Sequence, residues 1–388
     1  AFEVPSITVK LIGLGGAGSN LVNALAARSE RVELIVANTD RQALEGREVV
    51  GRRILLGPQT TRGWGAGSDP QVGRAAAEES RQELGRALAG ADLVVIAAGM
   101  GGGTGTGSAP IAARLARESG ALVLAIVTMP FDVERGQRTQ NAERGLTALR
   151  EVCDAVVVVP NEQILRFADR EMTMATAMRL ADKIVEAATA GVIDALTLPG
   201  MMRLDFSYIR RVLTQSGQSL LGVGSAAGPD AAMQAARQAV SCDLLDGQVD
   251  RSRRVFISLV GGSDMGLLDV NAAVELITRD LDPDVDIVVG AATDRRLAPD
   301  RVRVTMIAGA VTSQREKKPL RTGGSMPVVP VALRPQPEPS LWPQPQRGGR
   351  ITPPPVEEPL VADDDLAAID DSELVAPPFL TLKRRGRR

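Results

Sequence analysis

Between residues 99 and 107 the sequence reads GMGGGTGTG, six glycines in nine residues, and Ser108, Ala109 and Pro110 follow. Such residues suit the holding of an anion: bare backbone lets N–H groups approach closely, and the hydroxyls of Thr104 and Thr106 add donors. A helix opening at about 106–110 would contribute its positive dipole end and unpaired N–H groups, with Pro110 in its first turn, where a missing N–H costs nothing. A second glycine loop, GLGGAGSN at 13–20, directly follows an apolar run. Gly13, Gly15 and Gly18 satisfy the G-x-G-x-x-G spacing, and Asp40 closes the next apolar run at a distance suited to a ribose contact. Taken alone, that loop fits a tight strand-to-helix turn or a dinucleotide. Two such loops at the ends of neighbouring parallel strands would grip a polyphosphate from two sides. The lysine-bearing loop G-x-x-x-x-G-K-[ST] occurs nowhere, which leaves backbone donors, a metal ion and Arg138 to neutralise the phosphates.

The elements that must position these loops are legible as periodicities. Apolar runs at 7–15, 32–38, 91–99, 121–130 and 155–161 alternate with helix-length segments. Being apolar on both faces, they predict a parallel sheet covered on both sides. A long helical pattern covers about 175–196, with no turn signal before Leu198, Pro199 and Gly200. Further on, strand-like runs at 254–262, 285–293 and 301–311 enclose a helical pattern at 267–281, which predicts a smaller mixed α/β domain. Past residue 316 the composition changes, and 14 of the 24 prolines lie there. Such a segment buries too little apolar surface to offset its ordering entropy, so a disordered, partly polyproline linker is expected. It runs into the acidic stretch DDDLAAIDDSE at 363–373 and then LVAPPFLTLKRRGRR.

Composition excludes other chemistry. The 45 basic and 47 acidic residues give a formal net charge of −2, which offers no global field for nucleic acid. Histidine is absent and Cys153 and Cys242 are the only cysteines, which rules out a disulfide scaffold, a histidine metal site and a histidine base. No basic-then-apolar signal pattern opens the sequence, and no apolar run reaches the roughly 18 residues of a membrane span. The expectation is a cytoplasmic protein.

With both loops in view, GGGTGTGSAP resembles the signature loop of the tubulin/FtsZ superfamily. GLGGAGSN, ANTDRQAL, TRGWGAGSDPQVGRAAAEES, VTMPFDVERGQR, VVPNEQIL, LPGMMRLDF and IAGAV resemble the bacterial FtsZ branch in order and spacing, over about 7–312. The resemblance implies a Rossmann-like parallel-sheet GTPase domain at 1–174. A central helix and connection to a catalytic loop at 175–200 then lead to a C-terminal α/β domain at 201–316. A linker at 317–370 and a partner-binding peptide at 371–388 complete the expected order. It implies GTP/GDP and Mg²⁺ as ligands, with phosphate contacts from Gly15, Gly16, Ala17, Gly18 and Asn20 and from Gly101, Gly102, Gly103, Thr104, Gly105 and Thr106. Glu134 and Arg138 match ribose and phosphate contacts, Asn161 a residue near sugar and base, and Met178 the position that stacks on the base. Asp182 matches the acceptor for the guanine edge; a carboxylate only accepts, which suits guanine's N–H groups. The family assembles head to tail into filaments of the division ring, and hydrolysis occurs where one subunit's catalytic loop covers the next subunit's GTP. The terminal peptide, with Leu374, Val375, Phe379 and Leu380 as apolar anchors, implies membrane-tethering and other division proteins as partners, and the final basic residues suit anionic lipid or acidic partners.

The catalytic loop departs from the family pattern Asn-x-Asp-Phe-x-Asp: it reads Arg203, Leu204, Asp205, Phe206, Ser207, Tyr208. Asp205 is retained as the candidate water-positioning carboxylate. Tyr208 carries no charge near neutral pH and cannot replace an anionic base. Arg203 could stabilise charge on the transferred phosphoryl, bind the γ-phosphate statically, or pair with Asp205. Slower hydrolysis is expected, and a slowly or non-hydrolysing structural filament is the alternative reading. Asp69 stands where the family carries asparagine near the γ-phosphate, and either a contact to Mg²⁺ or a loop-capping role would account for it. A dinucleotide-dependent oxidoreductase, suggested by Gly13, Gly15, Gly18 and Asp40, leaves the second glycine loop unexplained.

Overall fold

The largely apolar run 9–14 is buried along its whole length and forms β1 (Val9–Leu14); its one charge, Lys10, donates to the Ala87 carbonyl at 2.9 Å and pairs with Glu33. In the computed structural model α1 (Gly15–Ala24), β2 (Glu33–Asn38), α2 (Arg41–Glu45), β3 (Arg52–Leu55), α3 (Pro70–Glu79) and α4 (Arg81–Leu88) follow. Next come β4 (Leu93–Gly99), α5 (Thr104–Glu118), β5 (Leu122–Met129), α6 (Gln137–Val152), β6 (Ala155–Pro160) and α7 (Asn161–Ile164). The long helical pattern is α8 (Met174–Thr197), and β7 (Gly200–Met202), α9 (Phe206–Leu213), β8 (Gly217–Ala227) and α10 (Ala231–Val240) succeed it. The chain continues through β9 (Arg254–Gly261), α11 (Leu267–Thr278), β10 (Asp286–Thr293) and β11 (Arg301–Gly309). The structure describes residues 7–26, 31–45, 51–134, 136–164, 173–198, 200–202, 206–214, 217–242, 252–279 and 281–309. The expectations for Arg203, Asp205, the linker and the terminal peptide lie outside these residues.

One mixed sheet carries all eleven strands in the order β3-β2-β1-β4-β5-β6-β8-β11-β9-β10-β7. From β3 to β6 every pairing is parallel, as the two-sided burial predicts. Alternate residues feed different cores: Leu11 packs into one apolar cluster with α8 residues such as Ala188 and Val192, while Ile12 joins another with Ala76, Leu84 and Ala112. The second half is mixed, with β11 antiparallel to both β8 and β9 and β10 parallel to β9. The two halves share the sheet through parallel β6–β8 pairing at Ala155–Gly217, Val156–Gln218 and Val157–Ser219.

Strand order reverses at β1, whose neighbours are β2 and β4. In an open parallel sheet that reversal opens a crevice at the carboxyl ends of the strands, the general location for ligands. Both glycine loops leave the sheet there, one after β1 and one after β4. The second helix starts earlier than expected: α5 opens at Thr104, and Pro110 lies inside it rather than in its first turn. The glycines obscured that start, since their low helix propensity reads as loop. The consequence is that Thr104, Gly105 and Thr106 themselves supply the unpaired first-turn N–H groups.

Candidate nucleotide site

The two glycine loops touch. A Cβ placed on Gly15, whose φ is +71°, would lie 3.1 Å from the Gly105 nitrogen and 3.3 Å from Thr104 Cβ. Some glycines are there to permit packing: a Cβ on Gly13 would collide with the Gly18 carbonyl, and one on Gly18 with the Ala97 carbonyl. Others face open space: a Cβ on Gly16 or Gly102 would meet nothing within 4 Å. Those two positions mark where backbone stays bare without a packing reason, which is what close approach of a ligand requires.

Hydroxyls and a third loop brace the second glycine loop. Thr106 is buried and its hydroxyl accepts the Gly101 N–H at 2.8 Å, so it holds the loop closed from within. Thr104 shares a 2.6 Å hydrogen bond with buried Thr39, a residue the sequence reading did not single out. The loop before α3 packs on the other side, where a Cβ on Gly103 would come within 3.0 Å of Asp69 backbone atoms. Asp69 caps α3, its Oδ1 accepting the Gln71 N–H at 2.8 Å. Asp40 likewise caps α2 through the Gln42 and Ala43 N–H groups. Among the described residues no group of three or more acidic or cysteine side chains could hold a metal by itself. A Mg²⁺ ion here would rely on phosphate oxygens and water besides Asp69, the usual arrangement for this cation.

Of the remaining predicted residues, Glu134, Arg138 and Asp182 reach the glycine loops from later elements. Gly101 packs against the Arg138 carbonyl at the start of α6, and Arg138 pairs with Glu134 at 2.8 Å. Glu134 Oε1 also accepts the Phe131 N–H at 3.0 Å. Asp182 on α8 lines a small cavity with Ala17, Gly18, Ala98, Thr128 and Val185, which places a carboxylate beside the first loop. Burial holds this carboxyl above the usual aspartate range. Asn161, at the start of α7, has its side-chain oxygen buried with no hydrogen-bond partner. An orphaned buried amide is costly unless a ligand completes it. Gly16 and Ala17 lie in the first turn of α1, where N–H groups lack intrahelical acceptors, and Asn20 lies one turn further along the helix. Met178 sits on α8, but its side chain lies outside the described residues.

Bare loops and helix N-termini beside a half-buried carboxylate make this crevice a candidate nucleotide site. A model of the Tubulin/FtsZ family GTPase domain matches residues 8–169, and one of the FtsZ family C-terminal domain matches 217–312. A solved FtsZ dimer from M. jannaschii is 34% identical, with a TM-score of 0.76 over 80% of this chain and 90% of that one. The chain belongs to the FtsZ family. Cell division protein FtsZ from Caulobacter vibrioides is 41% identical over 338 residues, 85% of this chain and 66% of that protein. The chain thus spans just under two thirds of that relative's length. CetZ2 from Haloferax volcanii, 24% identical with a TM-score of 0.65 over 79% of this chain and 94% of that one, shares the fold.

Within this FtsZ chain the altered catalytic segment is described from Phe206 onward. Tyr208 is half exposed on α9 and lies beneath the Arg211 guanidinium, 5.2 Å from its ring centre. Arg211 in turn pairs with Asp286 at 2.8 Å, and Arg210 covers Phe206 at 5.4 Å. The sequence reading missed Arg211; its spacing of three residues from Tyr208 on a helix was the available signal.

Proposed function

We propose that this FtsZ-family chain binds GTP in the crevice between its two glycine loops, assembles head to tail, and hydrolyses GTP at the subunit interface. The observation that carries the reading is the contact between the two glycine loops, with Gly16 and Gly102 bare without a packing reason and the half-buried Asp182 carboxylate beside the first loop. In this reading phosphates lie on the N-termini of α1 and α5, where N–H groups and the helix dipoles favour negative charge. Gly15 to Gly18 with Asn20 serve one side and Gly101 to Thr106 the other. Arg138, paired with Glu134, is positioned to turn toward phosphate while the glutamate takes a ribose hydroxyl. Asn161 completes its hydrogen bonding on sugar or base, Met178 covers the base, and Asp182 accepts from the guanine edge. Mg²⁺, when bound, would neutralise phosphate charge, with Asp69 reaching it directly or through water.

Asp205 then orients water on the neighbouring subunit's nucleotide, beside Arg203, and the loss of a carboxylate at Tyr208 slows turnover. Residues 1–174 act as the nucleotide domain, 175–200 as the connection and 201–316 as the second domain. The tail beyond carries the peptide for tethering proteins, and the polymer forms the cytoplasmic scaffold at the division site. Among the described residues no helix is long and apolar enough to cross a membrane.

The decisive experiment is phosphate release from GTP against protein concentration with Mg²⁺ present. Release per molecule is expected to rise sharply above a threshold concentration, because the active site is completed between subunits. Release per molecule independent of concentration would overturn the interfacial mechanism, and no release at any concentration would favour a nucleotide-stabilised structural filament.

A further inference from the structure

Behind the loops of the nucleotide crevice, α3, α5 and α6 enclose a groove of about 700 Å³. Its floor is α5, which carries Pro110 and Ile111, and its walls are α3 and α6. Arg74 on α3 and Arg144 on α6 line opposite walls, are exposed, and pair with no described residue. Arg114 on the floor pairs with Glu78 at 2.8 Å, yet its Nε is buried without a hydrogen-bond partner. Asp69, engaged as the α3 cap, and Glu151 are the acidic residues of the lining and belong to opposite ends of it. The middle of the groove is therefore cationic on both walls, over a floor that combines Pro110 and Ile111 with the Glu78-paired Arg114.

We propose that this groove is a docking site for an acidic polypeptide segment bound in extended form. Its length argues for a peptide over a compact anion. The lining runs along α6 from Gln137 to Val152, about 22 Å at about 1.5 Å per residue. An extended chain covers that span with about seven residues at about 3.3 Å each. Carboxylates meeting Arg74 and Arg144 would make charge-assisted hydrogen bonds, bidentate where the fork allows. An apolar side chain between them would rest on Pro110, and the Gln71 amide lines the same wall as Arg74, while the Gln137 Nε2 already donates to Asn141 at 3.1 Å and leaves its Oε1 to accept from a peptide backbone. The groove also shares Ser68, Asp69, Thr106 and Gly107 with the loops of the nucleotide crevice, so an occupant touches the back of those loops.

The chain itself contains a run of this chemistry, six acidic residues within DDDLAAIDDSEL at 363–374, and that sequence is the probe. A fluorescein-labelled synthetic peptide DDDLAAIDDSEL is titrated, with anisotropy as readout, against the full chain carrying Asp→Asn at 363, 364, 365, 370 and 371 and Glu373→Gln. These changes prevent self-competition. Saturable binding is expected. It should weaken about tenfold or more in a chain that also carries Arg74→Ala and Arg144→Ala, and further with added salt. An unchanged thermal midpoint shows that the doubly substituted chain is folded; should it not be, the charge-reversing Arg144→Glu alone is to give the same loss. No binding, equal binding after the arginine substitutions, or equal binding of a peptide with all six acids neutralised would overturn the proposal. So would displacement by inorganic phosphate at concentrations matching the peptide's, which would mean a small-anion site.

Discussion

Asp182 carries a sign that can be tested. Burial raises its pKa above the ordinary value of 3.8, so the charged form costs stability at neutral pH and that cost is relieved as pH falls through the raised value. Guanine's N–H donors favour the charged form instead, so nucleotide affinity should fall over the same interval in which the free protein gains stability from this group. Isothermal titration with GDP between neutral pH and 3.8 is expected to show proton release on binding. Asp182→Asn should flatten that pH dependence and weaken binding at neutral pH by about 10- to 100-fold, the range for a lost charged hydrogen bond. A second prediction concerns Tyr208, stacked on Arg211, which is itself paired with Asp286. Arg203→Asn combined with Tyr208→Asp should raise steady-state GTP turnover, and further when Arg211→Gln is added, because Arg211 would otherwise neutralise the new carboxylate. No gain in either variant would mean that the altered loop does not limit the rate.

At the scale of elements, the glycines divide by what surrounds them, and the division predicts opposite phenotypes. A Cβ on Gly107 would collide with the Pro70 carbonyl and approach the Arg74 nitrogen, at a close seam between α3 and α5. Gly107→Ala should therefore cost about 1–3 kcal/mol of stability, read as a lower denaturation midpoint. A Cβ on Gly16 or Gly102 meets nothing within 4 Å, so alanine there should leave stability nearly unchanged and weaken GDP binding. This division could not be read from the sequence, where Gly102 and Gly107 look alike in one loop. Much else could: the five apolar runs became β1, β2, β4, β5 and β6 in parallel order, since two-sided burial selects runs that are apolar almost throughout, buried Lys10 in β1 being a paired exception. β8 was not singled out because GQSLLGVGSAA is rich in glycine, serine and alanine, and it is held instead by nine residue pairs with β11. β7 has three residues, too few to show a period. Asn161 was singled out through the family resemblance, but that its side-chain oxygen is buried without a partner is a property of packing that no spacing reveals.

The whole molecule exposes large apolar side chains in separate places. Trp64 is 82% exposed and bridges to Asp40 beside the nucleotide crevice, and Val133 is 70% exposed next to Glu134. Leu267 and Leu268, at 65% and 83% exposed, open α11 in the second half of the chain. Isologous dimers bury one patch against itself, whereas a head-to-tail contact joins two different patches and leaves one of each free at the ends, so it propagates. In the proposed assembly the surface that carries Trp64 surrounds the nucleotide and must be covered whenever the active site is completed by a neighbour. Trp64 is then a built-in reporter, the other tryptophan being Trp342. In a Trp342→Phe background, adding GTP and Mg²⁺ should shift Trp64 emission to shorter wavelength as water is excluded. That shift should begin at the same protein concentration at which phosphate release rises. Trp64→Ser should raise that threshold, because the contact loses a large apolar anchor, while nucleotide affinity below the threshold stays the same. If release rises at its threshold with no change in Trp64 emission, the subunit contact lies on another face, and the nucleotide crevice is completed without burying this one.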